Sequence, residues 1–126
     1  MSWQSYVDND LVGSGRVQAA AIIDAANGNT RATTAGLLKP GEGAAIVALF
    51  RKPADVFAKG VTVSGVKYMG IKGDSRSVYG KKGATGVVLV KTNQSILIGR
   101  YNETQQPGDA ALVVEQLADR LIEQGD

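Results

Sequence analysis

The chain has 126 residues, 44% of them hydrophobic, with a formal charge of +2 and no Cys or His. Such a length buries one ordinary core, and the missing residue types exclude disulfides, thiol nucleophiles, histidine acid–base chemistry and the usual structural zinc sites. With no apolar run near the roughly 20 residues of a membrane span and no basic-then-apolar N-terminal order, a single cytoplasmic domain is expected.

Ser2 is placed to cap a helix whose apolar residues Trp3, Val7 and Leu11 recur every four positions, flanked by Tyr6 and ended by Gly13-Ser14-Gly15. Val17–Ile23 and Asn29–Thr34 read as strands joined by an Asn27-Gly28 hairpin turn. After the break at Leu38-Lys39-Pro40-Gly41, Glu42–Phe50 reads as a helix with Ala45, Ile46, Leu49 and Phe50 on its apolar face. A further helical turn starts at Pro53 and stops at Gly60.

From Gly60 the period changes. Val61–Val63, Val66–Lys72, Ser77–Lys81, Gly86–Lys91 and Ser95–Tyr101 are β-rich runs separated by Gly, Asp or Asn turns, which predicts an antiparallel meander. The final helix begins at Pro107-Gly108, carries Ala110, Val113, Val114, Leu117, Ala118 and Leu121 at helical spacing, and stops at Gly125. Helices at both ends around consecutive strands define an α+β domain with an antiparallel sheet.

Charge is unevenly spread. Residues 51–91 hold nine bases (Arg51, Lys52, Lys59, Lys67, Lys72, Arg76, Lys81, Lys82, Lys91) against Asp55 and Asp74, a balance of +7, whereas 1–50 carry −1 and 92–126 carry −4. An anionic partner is expected to meet the middle of the chain. Gly80-Lys81-Lys82-Gly83-Ala84-Thr85-Gly86 superficially suggests a phosphate loop, but a P-loop needs Gly and Ser/Thr where this chain has Ser75 and Lys82. A glycine-rich strand connection is the better reading. Asp8 and Asp10 point apart on a helix, and Glu115, Asp119 and Glu123 at spacing four read as the wet face of the last helix, so a carboxylate-only hydrolase is disfavoured. Trp3 and Tyr6, three apart, either pack against the last helix as core or line a groove of the kind that takes polyproline II segments.

The motif Ser-Trp-Gln-x-Tyr-Val-Asp at 2–8, with Ala54–Gly60, Gly65–Gly73, Tyr79–Gly86, Gln106-Pro107-Gly108 and Val114–Asp119, resembles the profilin family, of an amoeboid or plant-like type, along nearly the whole chain. The resemblance implies a profilin-like α+β fold: a central antiparallel sheet with the N- and C-terminal helices on one face and the short middle helices on the other. It implies a non-enzymatic, monomeric cytoskeletal protein, without cofactor, metal or nucleic-acid partner. Its implied function is to bind monomeric actin and so regulate polymerisation and nucleotide exchange. The actin surface carried over is Val56, Phe57, Lys59, Lys67, Lys72, Arg76, Lys81, Lys82, Gly108, Val113 and Glu115.

Proline-rich proteins such as formins are the second implied partner, at Trp3 and Tyr6, although Arg31, Arg120 and Asp126 stand where the family usually or often has aromatics. Those arginines either stack through their guanidinium planes or turn the groove toward acidic headgroups. Acidic phosphoinositides are the third, at Lys67, Lys72, Lys81, Lys82 and Arg120. The alternative is a phosphoinositide-dependent membrane-surface adaptor whose actin and polyproline functions have decayed.

Overall fold

In the computed structural model, which describes residues 2–126, the Ser2 hydroxyl accepts a hydrogen bond from the Ser5 N–H at 3.1 Å and caps a single α-turn, α1 (Trp3–Ser5). The chain then widens into a π-helix over Tyr6–Leu11 and tightens into a 3-10 turn over Val12–Ser14. A uniform helix was the expectation. Residues four apart drift by about 40° per step around a 3.6-residue turn, and the wider π turn takes up this drift, so Val7 and Leu11 are both fully buried.

Strands β1 (Ala19–Asp24) and β2 (Thr30–Thr33) form the first hairpin. Its loop, Ala25–Asn29, has five residues and is not closed by a tight two-residue Asn-Gly turn. Gly28 N–H donates to the Asp24 carbonyl at 2.8 Å, and the Asp24 and Asn27 side chains accept from the Ala26 and Asn29 N–H groups at 2.7 and 2.8 Å. These local side-chain contacts outcompete a tight Asn-Gly turn. Helix α2 (Glu42–Arg51), a 3-10 turn (Pro53–Asp55) and α3 (Val56–Lys59) follow. The meander then runs β3 (Val61–Val63), β4 (Val66–Gly73), β5 (Ser77–Lys82), β6 (Thr85–Lys91) and β7 (Ser95–Tyr101), before α4 (Pro107–Glu123) closes the fold.

All seven strands join one antiparallel sheet in the order β2-β1-β7-β6-β5-β4-β3. Side chains alternate across it. Ile23, Val87, Leu89, Ile96 and Ile98 pack with Ile46, Val47 and Phe50 of α2 and Val56 of α3. Ile22, Val88, Val90 and Leu97 pack with Val7 and Leu11 and with Val114, Leu117 and Leu121 of α4. The terminal helices therefore share one face and the middle helices the other, as the sequence implied.

Two close backbone approaches fix the middle helices. A Cβ on Gly43 would lie 2.2 Å from the Gly28 carbonyl oxygen, so α2 docks on the first hairpin only because both positions lack side chains. In β4, Cβ atoms on Gly70 and Gly73 would lie 2.4 and 2.5 Å from the carbonyl oxygens of Val56 and Pro53, which lets α3 rest directly on the strand. A third tie is electrostatic. The buried Glu42 carboxylate accepts from the N–H groups of Lys39 at 2.9 Å and of Ser64 and Gly65, in the β3–β4 turn, at 2.7 Å each.

Removing that carboxylate strands backbone donors in a poorly hydrated site. Glu42→Ala is expected to lower stability by about 2–4 kcal/mol, and urea unfolding of the variant against the parent chain checks it.

Candidate binding surfaces

On the terminal-helix face, Trp3, Tyr6, Gln94, Leu121, Gln124 and Asp126 are among the residues lining a groove of about 350 Å³. The Trp3 and Tyr6 ring centroids are 6.1 Å apart with planes inclined at 56°. Each ring is half-buried against the core and also lines the groove. The Tyr6 hydroxyl donates to Gln124 Oε1 at 3.1 Å, fixing the ring against the end of α4. Gln94, Leu121 and Gln124 were not singled out from sequence, because the β6–β7 loop and the end of α4 meet Trp3 only in the tertiary fold.

Arg31 stacks over Trp3, with its guanidinium carbon 5.0 Å from the ring centroid. It is held there by Asp24 Oδ2 at 2.9 Å, by the Ser95 hydroxyl, and by Asp126 Oδ1 at 3.9 Å. The Asp24 carboxyl is held below its ordinary range, first by the Ala26 N–H and, against partial desolvation, by Arg31. Asp126 is anchored in turn by the Thr92 hydroxyl. Arg31 is therefore spent within the fold. It supplies a stacking plane, and its charge is already met, which removes the reason to read it as a receptor for acidic headgroups. Arg120 does not line the groove; its Nη2 lies 3.6 Å from Asp10.

The second surface is the end of the sheet that the terminal helices leave open. Phe57 of α3 and Met69 and Ile71 of β4 are exposed by 56%, 70% and 53%, an unusual density of bare apolar side chains for two neighbouring elements. Lys59, Lys67, Lys72, Lys81 and Lys82, on the same and adjoining elements, are all exposed. Met69 and Ile71 escaped sequence analysis because the β4–β5 register slips between Gly70 and Lys72, which breaks the strand's alternation. Lys72 stands opposite Tyr79 with its ammonium 5.2 Å from the ring centroid, and Lys81 shares that face. Lys82 projects from the other face, at the tip of the β5–β6 hairpin. Gly108 is exposed at the start of α4, and Val113 is half-buried beside exposed Leu112.

Val56 requires correction. Its side chain is fully buried between α3 and the sheet, so it holds Phe57 in place and offers nothing to a partner. Glu115 also differs from a simple wet-face residue. Its carboxylate accepts from Arg76 Nε at 3.1 Å, from the Ser77 hydroxyl at 2.7 Å and from the Tyr79 hydroxyl, while Arg76 also reaches Asp119 at 2.8 Å. Arg76 and Glu115 thus bind the β4–β5 loop to the middle of α4. Asp74 organises that loop, accepting from the Arg76 and Ser77 N–H groups at 2.9 and 2.8 Å, and these bonds, that from Ser77 foremost, hold its carboxyl below the ordinary range.

The glycine-lysine segment forms the β5–β6 hairpin, with Lys82 paired to Thr85 across Gly83-Ala84 and Gly83 at φ 60°. A two-residue hairpin loop of this kind is a strand connection. Among the described residues no group of three acidic side chains is arranged to hold a metal ion, and no helix is long and apolar enough to cross a membrane.

An aromatic groove on one side and a basic, apolar-studded sheet end on another are surface features suited to binding partners. The chain belongs to the profilin family, whose model matches residues 1–126. It is 66% identical over 125 residues to profilin-P of Physarum polycephalum, covering 99% of each chain. It superposes on Acanthamoeba castellanii profilin IB with a TM-score of 0.94 at 50% identity, covering 99% of this chain and 100% of that one. A more distant neighbour, at TM-score 0.78, 25% identity and complete coverage of both chains, is mouse profilin IIa in complex with a double repeat from the FH1 domain of mDia1. The family binds monomeric actin and acts on the cytoskeleton. These relatives lend no support to an adaptor that has lost its actin function.

Burial, and then the Glu115 hydrogen bond, push the Tyr79 phenol well above its ordinary value. A raised phenol pKa stabilises the fold fully below the unfolded value near about pH 10 and is lost as pH climbs past it. Tyr79→Phe is therefore expected to lessen the alkaline fall in stability, as measured by urea unfolding between pH 8 and 12.

Proposed function

We propose that this chain is a cytoplasmic, non-enzymatic profilin that binds monomeric actin through the open end of its sheet, regulating polymerisation and nucleotide exchange. The observation that carries this reading is that Phe57 of α3 and Met69 and Ile71 of β4 are all exposed on neighbouring elements that also bear exposed lysines. Apolar anchors give a partner surface its affinity, and the charged rim steers an acidic partner such as actin into register. Lys59, Lys67, Lys72 and Lys81 form that rim, with Lys82 and Gly108 at its margins. Arg76 and Glu115 act from behind, by fixing the loop and helix that present it. Acidic phosphoinositides are expected to compete for the same lysines.

The Trp3/Tyr6 groove is the proposed seat of a proline-rich segment. Its walls are two aromatic rings, one backed by a guanidinium plane, and a polyproline II ligand loses little entropy on docking there. The FH1 repeat held by mouse profilin IIa supports a formin-type ligand for this chain. The groove and the open sheet end are built by different residues, so both partners fit at once.

A Phe57→Ala, Lys72→Glu double variant is expected to weaken actin binding by about tenfold or more, roughly 1.4 kcal/mol, with the loss reduced as salt is added. Unchanged affinity at low ionic strength would overturn the surface assignment. In the groove, Trp3 is the only Trp, so its fluorescence reports directly on ligand entry. A saturable change is expected on titration with decaproline, abolished by Tyr6→Ala; a flat titration of the folded parent chain removes the proline-ligand reading.

A further inference from the structure

Arg31 stacks over Trp3 but does not line the aromatic groove; it lines a second cleft, of about 320 Å³, where the β1–β2 loop meets the β6–β7 turn. Ala25 and Ala26 come from the loop, and Lys91, Asn93 and Gln94 from the turn and the strand before it. The Ala25 N–H donates to the Gln94 carbonyl at 2.9 Å and ties the two segments together. Gln94 lines the groove as well, so the two hollows are contiguous at that residue. The order across this end of the fold is groove, indole, guanidinium, second cleft.

What the cleft can recognise follows from what its charged groups have left to offer. Asp24 gives one carboxylate oxygen to the Ala26 N–H at 2.7 Å and the other to Arg31 at 2.9 Å. The Arg31 Nη atoms meet Asp24 and the Ser95 hydroxyl, with Asp126 beside them. The Lys91 ammonium donates to the Thr92 carbonyl at 3.2 Å. Among the described residues, every charged group of the cleft therefore has a partner, and an incoming ion gains little because it must strand one of them. A guanidinium engaged along its edge still has two faces, and Trp3 covers one. The Arg31 side chain keeps 21% of its surface open. A free guanidinium face suits an aromatic ring. Asn93 and Gln94 are exposed at the rim, and their side-chain amides form no hydrogen bond among the described residues, so they are placed to meet a hydroxyl on that ring.

We propose that this cleft is a specificity pocket for a tyrosine flanking the prolines of the groove's ligand, stacked on Arg31 as the next layer behind the indole. The inference rests on the reading of the Trp3/Tyr6 groove as the seat of a proline-rich segment. Arg31 stands 5.0 Å from the Trp3 centroid, and a further ring stacks within about 6 Å of the guanidinium. The tyrosine then lies roughly 10 Å from the indole, or about three residues of polyproline II at 3.1 Å each. A polyproline II segment reads nearly alike in both directions, and a ring at one end alone fixes its orientation.

The test compares decaproline extended by Gly-Gly-Tyr, Gly-Gly-Phe, Gly-Gly-Asp or Gly-Gly-Ala, and the mirror set with the added residue at the N-terminal end. Affinities for the full chain are read from Trp3 fluorescence, excited at the red edge of the indole band where tyrosine does not absorb. One of the two tyrosine peptides is expected to bind about fivefold more tightly than its alanine counterpart, with a smaller gain for phenylalanine and none for aspartate. Ala26→Leu, at an exposed position, fills the cleft while leaving the Arg31 contacts in place; it should erase the gain and leave the alanine peptide's affinity as it was. Arg31→Met should bring the ratio of tyrosine to alanine affinities to one. A flat response of the folded chain to every peptide removes the proline seat and this pocket with it. Binding of the alanine peptides with no tyrosine gain at either end overturns the pocket alone, as does a gain that aspartate matches or that survives Ala26→Leu.

Discussion

Strands β1, β6 and β7 carry apolar side chains on both faces: Ile22 and Ile23, Val87 and Val88, and Leu97 and Ile98 are all essentially buried. Leaving either face wet would forfeit about 1.5–3 kcal/mol per large side chain, so the sheet must be covered twice. The chain meets this demand with two pairs of helices drawn from its ends and its middle. Their cover runs out toward β4 and β5, where the strands turn basic and Met69 and Ile71 are bare. The surface proposed for actin falls where double coverage stops.

Where the helices do sit, their position is set by backbone contact more than by side-chain fit. Gly28 against Gly43 and Gly70 and Gly73 against α3 allow separations that any Cβ would prevent. The Glu42 carboxylate and the Glu115 network then lock each layer to a turn on the sheet's periphery, one on each side. These polar ties join the β3–β4 turn to α2 and the β4–β5 loop to α4.

Much of this was legible in the sequence. The change from a period of about four to short β-rich runs at Gly60 located the meander, and its five runs match β3 to β7 to within one residue at each end. Asn27-Gly28 marked the hairpin but not the form of its loop, because Asp24 and Asn27 both accept from backbone donors there, a competition that pattern reading does not weigh. The spacing of Glu115, Asp119 and Glu123 described a solvated stripe, since the partners that bury Glu115, Arg76 to Tyr79, lie nearly forty residues earlier and meet it only across the folded sheet. Val56 sits in a matched motif whose exposed member is its neighbour Phe57, a distinction that needs the direction of each side chain.

Helix α4 runs unbroken from Pro107 to Glu123. Its first turn borders the open sheet end, and its last turn and the residues just beyond it wall the aromatic groove. At 1.5 Å per residue the rod is roughly 24 Å long, and its length acts as a ruler. A flexible partner seated in the groove has to pay out about seven or eight extended residues before it touches anything docked at the other end. Linker length in a partner, and not only its groove-binding motif, then decides whether two occupants of this domain can be gripped by one chain.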